Sequence, residues 1–269
     1  AQDGIDVSLL LEGSPVGIGV DSTDWHTQLY GCQAIETAGG ACWFMVHAPE
    51  DRIFNRYHYL HSKLLVVDDE WVVVSTQNLT TGGLPSDNKR NGTLGSRGVV
   101  LVTDAPSVVR RASRILAMDL DPLNHNDLLR WNTAYLERYG PPADDLVDLT
   151  TTDGISYTVR FPTPLTTNGL HHFELFTAPE AALRQADALL GLIGRAGHGD
   201  TIRVEQMYEH VAWGEDPVRD PNLRLTAYID AARRGAKVWV LLNGRNFVEG
   251  QVGEARECRE TVTYLNRLA

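Results

Sequence analysis

Two similar stretches near opposite ends of the chain constrain its fold more than any other sequence feature. Residues 1–13, AQDGIDVSLLLEG, align without a gap on residues 232–244, ARRGAKVWVLLNG, with six identities at a constant offset of 231. Each stretch is followed by a loop containing Gly and then by a polar helical pattern. A repeat of this kind indicates two related lobes. Its order predicts that the back part of one lobe is joined to the front part of a similar lobe, so that each lobe is incomplete in this chain.

Between the two copies, the hydrophobic pattern alternates between helical and strand-like spacing. A helical spacing over residues 24–38 ends at two glycines, and the apolar run ACWFMVHA (41–48) follows it. A second apolar run, RGVVLV (97–102), precedes a helical pattern that opens with Asp104 and Pro106, residue types that favour a helix N-terminus. This alternation predicts an α/β fold with a mixed sheet flanked by helices.

The alternation is interrupted over residues 122–168, which are rich in Pro, Gly, Thr and Asp and are predicted to form a connector with some strand in it. After the connector the alternation resumes. We predict a helix over 178–197, a strand over 200–210, a helix over 222–235 and a strand over 236–244. The predicted organisation is thus a first lobe in residues 1–121, the connector, and a second lobe in residues 169–269.

The run HSKLLVVDDEWVVVSTQN, residues 61–78, places two polar side chains at the head of an apolar strand. The pattern predicts a hairpin with strands over roughly 57–67 and 71–76. Because side chains alternate faces along a strand, His61 and Lys63 should project from the same face.

The rest of the run adds groups that complement this pair. Asp68 lies at the predicted turn, and Thr76 and Asn78 share one face of the return strand, which brings them near the level of His61. An imidazole, a fixed cation, a hydroxyl and an amide together suit attack on a tetrahedral anion and binding of its oxygens. A histidine with Lys, Asp, a small hydroxyl and Asn at these fixed distances is expected by chance with a frequency on the order of 10⁻⁴.

The run from His61 to Asn78 resembles the HxKxxxxD signature of the phospholipase D superfamily, which continues through a Gly-Ser pair to an Asn. Ser75 and Thr76 stand where the Gly and Ser usually stand. Residues 178–210 also look like the opening of a second lobe in two-lobe members of the superfamily. The resemblance implies phospholipase D-like lobes with a cleft between them, and chemistry that requires no metal or cofactor.

The mechanism implied by the resemblance uses two histidines. One motif His attacks phosphorus to give a phosphohistidine, the other protonates the leaving alcohol, and water or a second alcohol then resolves the intermediate. Carried over to this chain, His61 is the nucleophile or the general acid. The implied catalytic residues are His61, Lys63 and Asp68, of which Asp68 organises the motif. The implied phosphate-binding residues are Lys63, Thr76 and Asn78. The residues expected at the cleft are Ser75, Gln206 and Tyr208.

Only one copy of the motif is present, because no other histidine of the chain is followed by Lys at the same spacing. We therefore expect this sequence to be an internal piece of a longer protein. The second motif would come from the parent chain, or less readily from a dimer. The isolated chain is expected to show negligible turnover.

Charge and composition narrow the substrate class. The formal net charge of −11 argues against a nucleic acid partner, because such binding rests on clustered Lys and Arg. No apolar run approaches the roughly 18 residues of a membrane-spanning helix, so any membrane contact is expected to be peripheral. The sequence does not indicate the cellular compartment. The expected function is a phosphodiesterase or phosphatidyltransferase acting on a phospholipid-type phosphodiester. The alternatives are a nuclease of the same superfamily and a noncatalytic binding module.

Overall fold

A computed structural model shows two compact units, Ala1–Phe173 and Glu174–Ala269. The structure describes residues 3–13, 19–79, 97–132, 139–144, 161, 163–216, 218–243 and 252–268. Each unit combines strands and helices, so the expected α/β class is confirmed at this level.

The helices and strands are short. In the first unit the strands are β1 (Ser8–Glu12), β2 (Ala41–Met45), β3 (Leu64–Val67), β4 (Trp71–Ser75), β5 (Val100–Thr103) and β6 (Leu128–Arg130), and the helices are α1 (Thr23–Thr37) and α2 (Pro106–Asp119). In the second unit they are β7 (Thr201–Gln206), β8 (Lys237–Leu242), α3 (Ala188–Gly194), α4 (Leu223–Arg233) and α5 (Val252–Leu268). Within the described ranges, no helix is both long enough and apolar enough to cross a bilayer.

The first sheet of the first unit has the strand order β1–β2–β6. β1 and β2 are parallel, with Leu10 opposite Trp43, and β6 pairs antiparallel with the other side of β2. Helix α1 joins the two parallel strands and buries Trp25 and Leu29 in a cluster with Phe44. Because β1 and β2 run in the same direction, their C-terminal ends lie at one edge of this sheet.

Helix α1 begins and ends within one residue of the predicted range of 24–38. The Ser22 hydroxyl accepts a hydrogen bond from the Trp25 backbone N–H at 3.2 Å, which caps the N-terminus. Gly39 follows the helix with a φ of 88°, a left-handed conformation that glycine adopts without a steric penalty.

A disulfide joins Cys32 on α1 to Cys42 on β2, and both residues are fully buried. The third cysteine, Cys258, is buried in the second unit and is not part of a disulfide. The spacing of the three cysteines gave no indication of this bond, because it depends on how α1 packs against β2.

The second sheet of the first unit is antiparallel, with the order β3–β4–β5. Helix α2 packs against β3 and β4 and buries Val108, Val109 and Ala112. Val72 on β4 is completely buried, which identifies its face of the sheet as the one that α2 covers.

The second unit is built on a parallel β–α–β arrangement. β7 and β8 pair in parallel, with Ile202 opposite Val238, and α4 lies between them in the chain. Leu225 and Tyr228 of α4 pack in one buried cluster with Ile193 of α3.

The repeated stretches carry the same order of elements in both units. β1 is followed by α1, and β8 is followed by α5. Adding the repeat offset of 231 to Thr23–Thr37 gives residues 254–268, which fall inside Val252–Leu268. The predicted connector contains β6, and residues 133–138, 145–160 and 162 of it lie outside the described residues.

The first strand of the predicted hairpin is shorter than expected, because it begins at Leu64 rather than near residue 57. The preceding backbone is bound by side chains instead of a neighbouring strand. The Asn55 amide donates to the carbonyl oxygens of Tyr57 and His58, and the Leu60 N–H donates to the Glu12 carboxylate.

Two helix N-termini also differ from the expectation. The helix predicted over 178–197 is confined to α3, because Asp187, immediately before it, has an extended backbone that a right-handed helix does not accommodate. The N-cap of α2 is Ala105, without a side-chain hydrogen bond, so Asp104 does not cap the helix.

Candidate functional site

An ion pair fixes the segment that leads to His61. The Arg56 Nε lies 3.1 and 3.0 Å from the two carboxylate oxygens of Asp127, and the Arg56 backbone N–H donates to the same carboxylate at 2.8 Å. Asp127 is 1% exposed. The guanidinium also donates to the backbone oxygen of Asp119 at 2.9 Å, at the end of α2. Arg56 therefore links the two sheet layers of the first unit just upstream of the motif.

A second contact fixes the residue immediately before His61. The Leu60 N–H donates to the carboxylate of Glu12 at 2.7 Å. Glu12 is the last residue of β1, so this bond holds the start of the motif at the C-terminal edge of the first sheet. Ligands of parallel sheets commonly bind at this edge.

His61 and Lys63 lie together at the open end of the hairpin. His61 is exposed and Lys63 is half-buried, and the Lys63 ammonium donates to the His61 carbonyl oxygen at 2.8 Å. Desolvation, followed by the charge of Lys63, lowers the pKa of His61 below its usual value. Desolvation also lowers the pKa of Lys63. The two causes acting on His61 favour its neutral imidazole, whereas desolvation of Lys63 works against the charged form of that side chain.

The structure separates the hydroxyl residues of the motif. The Ser75 N–H donates to the Lys63 carbonyl at 3.0 Å, which continues the β3–β4 register and places Ser75 opposite Lys63 on the same face. Thr76 is the next residue and takes the other face. Its hydroxyl accepts from the Val99 N–H at 2.9 Å. Thr76 therefore does not share the face of Lys63.

The ladder ends at this pair for a local reason. The Gln77 N–H donates to the Ser75 hydroxyl oxygen at 2.8 Å instead of pairing across to the other strand, and the same hydroxyl donates to the Gln77 carbonyl at 3.0 Å. Asn78 follows as an exposed residue beyond the end of β4. Of the predicted phosphate-binding groups, the structure brings Lys63 next to His61 and places Thr76 on the opposite face.

Asp68 lies at the turn, as the sequence predicts. Asp68 and Asp69 both have a φ of 53°, and the Glu70 N–H donates to the Val67 carbonyl at 3.0 Å, a pattern typical of a type I′ turn. Strand β3 separates this turn from His61 by about 20 Å of extended chain. Asp68 is therefore a turn residue in this structure and lies far from the imidazole.

The expected cleft residues of the second unit lie beside a buried carboxylate. Gln206 ends β7, and its amide donates to the Tyr208 carbonyl at 2.7 Å and to the Glu209 carboxylate at 2.8 Å. Tyr208 lies beyond the strand and is exposed. The Gln206 amide is thus used within the fold.

Glu209 is the centre of the buried polar network of this unit. It is 0% exposed and accepts two hydrogen bonds from the Arg224 guanidinium, each at 3.0 Å, and one from the Asn222 amide at 2.6 Å. The Thr261 hydroxyl donates to its backbone oxygen at 2.8 Å. These bonds join the end of β7 to the start of α4 and to α5.

Burial alone would raise the pKa of Glu209. Hydrogen bonds from Arg224, Gln206 and Asn222, together with the charge of Arg224, outweigh this effect and hold the pKa below its usual value. The carboxylate is therefore ionised and fully hydrogen-bonded, which indicates a structural role.

Three residues that determine this geometry have no distinctive local signal in the sequence. Glu12, Arg56 and Glu209 act through partners 48, 71 and 15 residues away. The sequence signal that these three residues share is a charged side chain beside an apolar run. That signal is too common in proteins to identify them. No family model, curated protein or solved structure matches this chain.

Proposed function

We propose that the first unit carries one half of a phosphodiester-processing site of the phospholipase D type, centred on His61 and Lys63. The observation that supports this proposal most strongly is the Lys63 ammonium, which donates to the backbone oxygen of His61, together with the pKa of the exposed His61 imidazole, which is lowered by desolvation and by the charge of Lys63. A neutral imidazole is the nucleophilic form, and a neighbouring cation attracts the oxygens of a phosphodiester.

In the proposed reaction His61 is the nucleophile. The lone pair of its imidazole forms a bond to phosphorus while the bond from phosphorus to the leaving alcohol oxygen breaks. An alkoxide leaves only if it gains a proton, which the second motif histidine supplies. Water or another alcohol then displaces His61 from phosphorus. Because the second histidine is lacking in this sequence, we expect turnover of ordinary alcohol esters to be negligible.

The proposed substrate is a phospholipid-type phosphodiester. The net charge of −11 disfavours a polyanion, whereas a zwitterionic lipid headgroup carries its own cation. NMR titration of the His61 imidazole with dihexanoyl phosphatidylcholine and with a single-stranded oligonucleotide tests this choice. We expect the phospholipid to shift the resonance. A shift with the oligonucleotide alone would favour a nuclease, and no shift with either would favour a noncatalytic module.

The link between Lys63 and His61 is testable by titration. Replacing Lys63 with methionine removes the positive charge and is expected to raise the pKa of His61 toward its ordinary value, because one of the two causes of the lowered pKa is lost. Imidazole NMR measures this directly. The exposed Lys237 of the second unit, changed to methionine, serves as the control and should leave the pKa of His61 unaltered. An unchanged pKa in Lys63→Met would contradict the pairing.

A further inference from the structure

The disulfide between Cys32 and Cys42 lies inside the main core of the first unit. Both cysteines are 0% exposed and belong to one buried cluster with Trp25, Leu29 and Phe44. Their Cα atoms are 5.3 Å apart, which is within the range that a disulfide spans. The bond therefore fastens α1 to β2 at the place where the helix packs on the sheet.

The strand that receives this bond is the middle strand of its sheet. The Cys42 N–H donates to the Glu36 carboxylate at 2.7 Å, and the Cys42 carbonyl oxygen accepts from the Trp131 N–H at 2.8 Å. On the other side of β2, Leu9 of β1 lies opposite Cys42 in parallel register. The disulfide thus attaches α1 to the strand on which both neighbouring strands are built.

Helix α1 also supports the edge that carries the candidate site. Gln28 precedes Cys32 by about one helical turn, so the two side chains lie on the same side of α1. The Gln28 amide donates to the Glu12 backbone oxygen at 3.0 Å, and the Glu12 carboxylate accepts from the Leu60 N–H. A bond that holds α1 on the sheet therefore also supports the contact that fixes the residue before His61.

The second unit has no such bond. The chain has three cysteines, and the third, Cys258, is a buried free thiol of the second unit. A change from oxidising to reducing surroundings therefore breaks a covalent link in the first unit alone. The second unit serves as an internal reference for any effect of reduction.

The bond forms only where an oxidant is present. The two thiols lose two electrons and two protons to a disulfide-bonded oxidant, which leaves as a dithiol, and a dithiol reductant reverses the exchange. Such bonds form and persist in oxidising compartments and are rare where thiols are kept reduced. Two buried thiols would still pack as small apolar groups, so the reduced first unit should fold with lower stability.

We infer that the fold of the first unit is redox-dependent and is completed in an oxidising compartment, where the Cys32–Cys42 disulfide fastens α1 to the edge that carries the candidate site. The inference rests on the placement of the disulfide and does not require the proposed activity. It adds a covalent device that adjusts the stability of this edge to the redox state of the surroundings.

Hydrogen exchange of the 269-residue chain, refolded in oxidised glutathione or kept in dithiothreitol, tests this inference. A disulfide that closes a loop of this length changes the unfolding equilibrium constant about 100-fold, so the α1 amides should exchange about 100-fold faster after reduction. The α4 amides should be unaffected. Alkylation of the denatured chain should count one thiol in the oxidised sample and three in the reduced sample.

Two variants separate the disulfide from the free thiol. Cys258→Ala should keep the response of α1 to dithiothreitol, whereas Cys42→Ala should exchange like the reduced chain and show no response. The reduced wild-type chain gives the same comparison without a substitution if Cys42→Ala does not fold. Three free thiols after oxidative refolding, or equal α1 exchange in both samples, would overturn the inference. An imidazole resonance of His61 that does not shift on reduction would overturn the link to the candidate site.

Discussion

Replacing Glu209 with glutamine is expected to lower the free energy of unfolding of the second unit by about 3 kcal/mol, because removal of one partner leaves the other charge of a buried ion pair uncompensated. The Glu209 carboxylate is 0% exposed and accepts hydrogen bonds from Arg224, Asn222 and Gln206. Glutamine has one acceptor oxygen and an NH₂ group, which would face these donors. Hydrogen exchange of the α4 amides measures the loss.

The stability of the second unit is also expected to depend on pH, because Glu209 is ionised in the folded protein. The pKa of Glu209 is lowered in the folded protein, so its contribution to stability is fully present above the unfolded-state pKa of about 4.3 and is lost as the pH falls through the folded-state value. In acid, the free energy of unfolding of Glu209→Gln should therefore become nearly equal to that of the wild-type protein. A constant difference across this range would argue against an ionised Glu209.

The control for this substitution is an exposed ion pair on the same helix. Arg233 and Asp230 are 3.1 Å apart, with side chains 68 and 47% exposed. Solvent screens such pairs, and Asp230→Asn is expected to change stability by less than about 0.5 kcal/mol. A Glu209→Gln variant no less stable than this control would show that the buried network does not hold β7, α4 and α5 together.

Replacing Asp127 with asparagine is expected to lower the stability of the first unit by about 3 kcal/mol, because Arg56 loses the buried carboxylate that binds both its Nε and its backbone N–H. The substitution should also shift the imidazole resonance of His61, since Arg56 fixes the segment leading to the motif. Chemical denaturation and imidazole NMR measure the two effects on one sample.

The matched control in this unit is the more exposed pair of Arg130 with Glu36, which joins β6 to α1. Glu36→Gln is expected to cost about 1 kcal/mol or less and to leave the His61 resonance in place. A variant of Asp127 that loses stability but keeps the wild-type His61 spectrum would show that Arg56 supports the fold without positioning the motif.

The parts of the fold that the sequence predicts are those with local causes. Helix α1 follows from its apolar spacing and from Gly39 at its C-terminal end. The hairpin turn follows from Asp68 and Asp69, residue types that tolerate a left-handed backbone between two apolar runs. Both signals lie within a few residues of the structure that they determine.

The parts that the sequence did not predict depend on partners far along the chain. The backbone before His61 is bound by Glu12 and Asp127 rather than by a strand, which is why β3 begins at Leu64. The alternation rule placed His61 and Lys63 together but could not reveal that Ser75, through its bond to the Gln77 N–H, ends the ladder. Thr76 takes the face opposite Lys63 because the register pairs the preceding residue, Ser75, with Lys63.

The central claim, that His61 is a nucleophile toward phosphorus, is tested most directly by single-turnover kinetics with bis(p-nitrophenyl) phosphate. Nitrophenolate leaves without a proton, so the missing second histidine is not needed for the first step. We predict release of about one nitrophenolate per chain without further turnover, with a rate that falls as the pH drops through the pKa of His61. The release should be absent in His61→Ala and roughly 100-fold slower in Lys63→Met. Release that persists in His61→Ala, or none in the wild-type chain, would contradict the claim.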